Sequence, residues 1–219
     1  MPRALFEKTG NAVWISHLDL MRLFQRAFKR AGLPLTHTKG FNPRPSVSIA
    51  LPMSVGTESR CELLDFELEG EVPAAEEILA RLNQKLIPGV RVKRIYSDGQ
   101  KLKNLALMDC VLLLEYDAGV PEQARGELEK LFAREALPVE KKGKNGITRQ
   151  DIIPMLRKLE ILEPDEHSLQ LNTRICCQNP TLNPMQLYAA VERFCPELRA
   201  DYVSFRREEL YDTQENIFR

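Results

Sequence analysis

From Leu20 to Thr57 the chain carries no Asp or Glu, while Arg22, Arg26, Lys29, Arg30, Lys39 and Arg44 place six positive charges in the same thirty-eight residues. With 31 acids in 219 residues, about five would fall in such a window by chance. Arg22, Arg26, Lys29 and Arg30 stand at i, i+4, i+7 and i+8, which puts them on one stripe of a helix. Like charges in a stripe repel. Phosphate binding is an economical reason to tolerate them, because Lys and Arg side chains release counterions from a nucleic-acid backbone and orient it. The competing reading is a solvated helix face neutralised by acids from elsewhere, such as Glu58, Glu62 or Glu67.

Residues 36–48 read T-H-T-K-G-F-N-P-R-P-S-V-S and adjoin the stripe. In a nucleic-acid interface His37 sits among the basic residues, Gly40 admits a close backbone, Phe41 stacks on a base, Asn42 contacts its edge, and Lys39 and Arg44 hold phosphates. The competing reading is a turn in which Phe41 plugs the core and Asn42-Pro43 shapes the chain. Neither G-x-x-x-x-G-K-[ST] nor G-x-G-x-x-G occurs, so no nucleotide fingerprint is involved.

Catalysis has two candidates, His17 and His37. Either could act as general base of a metal-independent endoribonuclease, with Lys39 or Arg44 stabilising the phosphorane. Ser16, His17 and Asp19 make no triad, since neighbours at a helix start point different ways. His167 follows Asp165 and Glu166 in a turn and is expected to be solvated. No histidine or carboxylate cluster has metal-ligand spacing, so no metal is expected. Lys141, Lys142, Lys144 and Arg149, around Gly143 and Gly146, form a second basic patch, either an extension of the first or a solvated hairpin tip.

Five cysteines, Cys61, Cys110, Cys176, Cys177 and Cys195, lie in apolar surroundings without a C-x-x-C pair. They read as small buried hydrophobes rather than a disulfide framework or an iron–sulfur site, and no cofactor is expected. Thirty-one basic and thirty-one acidic residues cancel, so any nucleic-acid face must be local. The longest apolar runs, such as residues 111–114, fall far short of the roughly 20 residues that span a bilayer. Arg3, Glu7 and Lys8 interrupt the start where a secretory signal needs a continuous apolar core. A cytoplasmic protein with no membrane contact is expected.

These side chains need a scaffold. Residues 3–7 and 12–15 alternate as strands around Thr9-Gly10-Asn11. Ser16 caps a helix over 17–31, in which Leu20, Phe24, Ala27, Phe28 and Ala31 form the apolar face and Gly32-Leu33-Pro34 the stop. Strands at 46–51 and 61–68, a helix opening at Pro73 and a strand over 90–95 complete a β-α-β-β-α-β order. After the polar stretch 97–104 the order recurs: strand 107–116, helix 121–134, strand 137–142, an ambiguous segment 152–162, strand 169–177, helix 183–194 and strand 202–210. The fold class expected is α+β, two tandem ferredoxin-like units at 1–98 and 105–212, with a C-terminal tail at 213–219.

The run R-A-L-F-E-K-T-G-N-A-V-W-I-S-H-L-D-L-M-R-L-F-Q-R-A-F-K-R-A-G-L-P, followed by K-G-F-N-P-R-P-S-V-S-I-A-L-P-M-S-V-G, closely resembles the N-terminal half of the bacterial radical SAM-linked protein family. The likeness is specific over residues 3–68 and continues through D-I-I-P-M-L at 151–156 and F-R-R-E-E-L-Y at 205–211. That family takes its name from genes beside, or fused to, a radical SAM protein, so the resemblance implies a radical SAM protein as partner. In architecture alone the chain is similar to the repeat-associated RNA-binding proteins of CRISPR systems, but it lacks their late glycine-rich loop.

The expectation is therefore a non-catalytic module that presents RNA, rather than DNA, to a radical SAM partner through Arg22, Arg26, Lys29, Arg30, His37, Lys39, Phe41, Asn42 and Arg44. The alternatives are the endoribonuclease and a protein-docking module whose basic stripe meets an acidic surface.

Overall fold

A computed structural model describes residues 1–143 and 146–219, in an α+β arrangement of two compact units, Met1–Asn104 with Ile217–Arg219, and Leu105–Asn216. No helix among the described residues is long and apolar enough to cross a membrane.

The first unit runs β1 (Arg3–Lys8), α1 (His17–Arg30), β2 (Val47–Ile49), β3 (Glu58–Phe66), α2 (Ala75–Asn83) and β4 (Val90–Tyr96). Its strands lie in the order β4-β1-β3-β2 with antiparallel neighbours. β1 is central because its residues are apolar or paired on both edges: Ala4 faces Leu64 and Ile95, and Phe6 faces Glu62 and Val92. The core joins Ala4, Phe6, Leu64, Phe66, Val92 and Ile95 of the sheet to Leu20, Phe24 and Phe28 of α1 and Ile78 and Leu82 of α2. Phe6 and Phe24 meet edge-to-face at 4.7 Å, the geometry the aromatic quadrupole favours.

Residues 12–15 are not a strand. Gly10–Trp14 form a 3₁₀ turn, held by Thr9 N–H donating to Gly89 O at 2.8 Å and Gly56 N–H to Val13 O at 2.9 Å. Alternation over so few residues does not separate a turn with one buried side chain, Ala12, from a strand.

The second unit runs β5 (Leu105–Glu115), α3 (Ala124–Phe132), β6 (Pro138–Gly143), β7 (Gly146–Asp151), β8 (Leu156–Asp165), β9 (Ser168–Cys176), α4 (Met185–Phe194) and β10 (Tyr202–Asp212). The strand order is β10-β5-β9-β8, again antiparallel, and β6 and β7 form a separate hairpin. Residues 137–142, expected in the main sheet, belong to that hairpin. The ambiguous segment resolves into a 3₁₀ turn, Ile153–Met155, and then β8. The segment 213–219 is not a free tail: Phe218 is fully buried, with the Arg3 guanidinium 5.3 Å from its ring centre. All five cysteines are buried, and none forms a disulfide among the described residues.

Candidate functional site

The basic stripe is presented by α1, whose ends are both fixed. At the start Ser16 Oγ accepts from Asp19 N–H at 3.2 Å and donates to Asp19 Oδ2 at 2.7 Å, a reciprocal cap. At the end Gly32, with φ +65°, lets its N–H reach Lys29 O and the Leu33 N–H reach Phe28 O at 3.0 Å, a Schellman closure. Arg81 of α2 adds three donors to the Ala31 and Gly32 carbonyls, at 2.6, 2.8 and 2.9 Å. At about 100° per residue, Leu20, Phe24, Ala27 and Phe28 face the sheet, and Arg22, Arg26 and Lys29 centre on the opposite side.

These cations differ in engagement. Arg22 Nη1 lies 2.9 Å from Asp19 Oδ1, and Arg30 Nη2 donates to Lys85 O at 2.9 Å. The Ser16 hydroxyl and, next, the Arg22 guanidinium hold the Asp19 carboxyl below its ordinary value. Arg26 and Lys29 are exposed and form no ion pair among the described residues. Glu67, one of the acids that could have neutralised the stripe, instead accepts from Thr36 Oγ1 at 2.9 Å.

Residues 36–46 fold back as a short hairpin. Ser46 N–H donates to Thr36 O at 2.7 Å, Thr38 N–H to Arg44 O at 2.8 Å, and Arg44 N–H to Thr38 Oγ1 at 3.0 Å. Its base is tied to residue 67 by Thr36 N–H to Glu67 O and Glu67 N–H to Ser46 O. Lys39, Phe41, Asn42 and Arg44 therefore stand at or beside an exposed tip, and Phe41 is fully exposed rather than plugging the core. Lys39 and Arg44 form no ion pair among the described residues. A groove of about 390 Å³ joins stripe and hairpin, lined by Gln25, Phe28 and Lys29 of α1 and by Leu35, His37 and Pro45. His37 Nδ1 stands 3.7 Å from Glu69 Oε1 across its edge.

Unit 1 thus brings Arg22, Arg26, Lys29, His37, Lys39, Phe41, Asn42 and Arg44 to one helix face and the hairpin that follows it, with Arg30 turned toward Lys85. It does not bring the two candidate bases together. His17 opens α1, a helix about 21 Å long, and His37 follows its far end. His17 therefore stands at the end of α1 remote from the start of the Lys39–Arg44 hairpin. No group of three or more His, Cys, Asp or Glu gathers at metal-binding distance among the described residues. His167 is exposed, its Nδ1 2.9 Å from Tyr116 O.

The second basic patch lies on the β6–β7 hairpin. Lys141 Nζ donates to Thr181 O at 3.3 Å and Arg149 is exposed, while Lys144 lies outside the described residues. Unit 2 also holds a charged network that sequence reasoning missed. Arg174 binds Asp109 through Nε and Nη2 at 2.7 and 2.9 Å and Glu215 through Nη1 at 2.6 Å. Tyr211 donates to Asp109 Oδ2 at 2.8 Å, and its ring lies 3.8 Å beneath the guanidinium. The Asp109 hydrogen bonds raise the Arg174 pKa further above its ordinary value, and burial pushes the Tyr211 phenol up to about 12. Asp109 is thus held from two sides, by the Arg174 guanidinium and the Tyr211 hydroxyl.

Trp14 was missed as well. It is 65% exposed, two residues before the Ser16 cap, and its ring lies 3.3 Å from where a Cβ on Gly56 would stand. Gly56, with φ +85°, lets the indole rest directly on the backbone. Leu18, on the stripe one turn before Arg22, is also 65% exposed. The signal was the chain's single tryptophan placed beside a helix cap.

The sequence profile of the family described as "Uncharacterized protein conserved in bacteria (DUF2344)" matches residues 2–184, and the chain belongs to that family. No curated protein matches the sequence. Among solved structures, a chain in the crystal structure of a Cbf5-Nop10-Gar1 complex is similar over 95% of this chain, with TM-score 0.52 and 10% identity. This chain spans about half, 48%, of that one, and at such identity the likeness concerns the fold alone. A protein of unknown function from Galdieria sulphuraria matches with 12% identity over 94% of this chain and 95% of its own, at a TM-score of 0.26, too low to bear on the fold.

Proposed function

We propose that this member of the bacterial family is a non-catalytic RNA-binding module. The observation that carries the reading is the pair Arg26 and Lys29, exposed on α1 and without an ion pair among the described residues. An acid three or four residues away would stabilise such a helix cation by about 0.2–0.5 kcal/mol. Here the only acid on α1 is Asp19, and it is taken by Ser16 and Arg22. Lys39 and Arg44 extend the unpaired charge along the hairpin. Phe41 at its tip offers a stacking face beside them, the combination of cations and exposed aromatic that RNA recognition uses.

Each unit is read as ferredoxin-like. The strand orders β4-β1-β3-β2 and β10-β5-β9-β8, each with two helices, support this, with the β6–β7 hairpin as an insertion between α3 and β8. The resemblance of residues 3–68 to radical SAM-linked proteins supports a radical SAM chain as the recipient of the RNA. Titrating the full chain with total cellular RNA at several salt concentrations tests the proposal. Binding that weakens with salt is expected, and binding that is absent or independent of salt would refute it.

A further inference from the structure

We infer that the RNA is gripped as a single strand, with bases stacked on two exposed rings, Trp14 before the start of α1 and Phe41 beyond its end. This rests on the RNA-binding reading above and adds to it the strandedness of the ligand and a second stacking residue.

The indole of Trp14 rests its benzo edge against Gly56 and remains 65% exposed, so it is braced and open to a ligand. A tryptophan normally buries most of its large apolar surface, and one held open at a helix start is a stacking platform wanting a flat partner. Leu18 and Val55, both more than half exposed, add apolar surface on the helix and in the loop beside Gly56. Leu18, Arg22, Arg26 and Lys29 then follow one line along α1. Arg22 and Arg26 are about 6 Å apart along the axis and Lys29 about 4.5 Å further on, steps that a flexible sugar–phosphate chain can match. The groove bounded by Lys29 takes in His37 and Pro45, in the hairpin whose tip carries Phe41.

Aromatic side chains at both ends and cations between them suit a ligand that offers base faces and phosphates together. A duplex hides its base faces in the stack, whereas a single strand exposes them and tolerates any sequence on such platforms. The length of α1, about 21 Å, corresponds to a short site near the lower end of the four-to-sixteen-nucleotide range of such binders.

Trp14 is the only tryptophan, so its emission reports contact at this position alone. The test titrates the full chain with an oligo(U) of about twelve nucleotides and with an RNA duplex of equal length, following both Trp14 emission and the anisotropy of labelled RNA. Oligo(U) is expected to bind at least about tenfold more tightly than the duplex and to quench Trp14 in step with binding. Trp14→Ala and Phe41→Ala, both at exposed positions, should each weaken oligo(U) binding by about 5- to 150-fold while leaving its salt dependence unchanged. Equal binding of duplex and single strand, or salt-dependent binding that neither substitution weakens, would overturn the inference and leave the RNA-binding reading intact. Absence of salt-dependent binding to any RNA would overturn both.

Discussion

Replacing Arg26 and Lys29 together by glutamate separates binding from folding. Neither side chain has an ion-pair partner among the described residues, so the native state gives up no ion pair. Glu at 26 would sit four residues from both Arg22 and Arg30, where each pairing is worth about 0.3–0.5 kcal/mol, and stability should stay within about 0.5 kcal/mol of the parent. Binding behaves differently. Four cations without partners, Arg26, Lys29, Lys39 and Arg44, each neutralising one phosphate, give a log–log salt slope of about −2.8 for a single strand. Between 50 and 200 mM salt that slope loses about 50-fold in affinity. Removing two of the four contacts should bring the slope to about −1.4. Relative to a 1 M reference, each contact supplies about 0.7 log units at 0.1 M, so the variant should bind about 25-fold more weakly there, before any repulsion from the new carboxylates. Anisotropy titrations at four or five salt concentrations measure both quantities, and urea unfolding checks stability. A variant that keeps the parent affinity and slope would refute the assignment of this helix face.

Two further outcomes concern the second unit. Arg174→Ala leaves Asp109 and Glu215 without their shared cation, with only the Tyr211 hydroxyl still donating to Asp109, and with Arg174 only 11% exposed the loss should be about 3 kcal/mol, seen as a lower urea midpoint with no change in RNA salt slope. A loss below about 1 kcal/mol would show the network to be solvent-screened. Alkaline pH should unfold this unit first: burial raises the Cys110 and Cys177 thiols and the Tyr116 and Tyr211 phenols to about 12. A raised acid favours the folded state fully below its unfolded value, so that stability should fade as pH climbs from about 9 toward 12. Trp14 emission, which reports on unit 1, should change later than the far-ultraviolet signal, and a simultaneous change would contradict this order.

The helix that carries the stripe was legible almost to the residue, because three independent signals agreed on it: the Ser16 cap, the 3.6-residue apolar period from Leu20 to Ala31, and the Gly32-Leu33-Pro34 stop. β7 was not legible, for a physical reason. Gly146–Asp151 is exposed along most of its length, so nothing selects apolar residues at alternate positions and its sequence reads as a loop. Val139 misled in the opposite sense, since a buried side chain in a hairpin strand looks the same as one in the main sheet. In the candidate site, charge pattern located the helix and hairpin, because repulsion between like charges has a cost that composition reveals. Whether Phe41 pointed in or out was undecidable, as an aromatic in a Gly/Pro-rich turn fits both. The Arg174 network was invisible because Asp109, Arg174 and Tyr211 are 65 and 37 residues apart in order along the chain and converge only through the pairing of β5, β9 and β10.

Crosslinking bound RNA to the full chain and mapping the attached peptides tests RNA binding through unit 1 most directly, and sequencing the attached RNA identifies the ligand. Crosslinks are expected within residues 14–48, on α1 and the hairpin that ends in Phe41. Crosslinks confined to residues 105–216, or none at all, would contradict it.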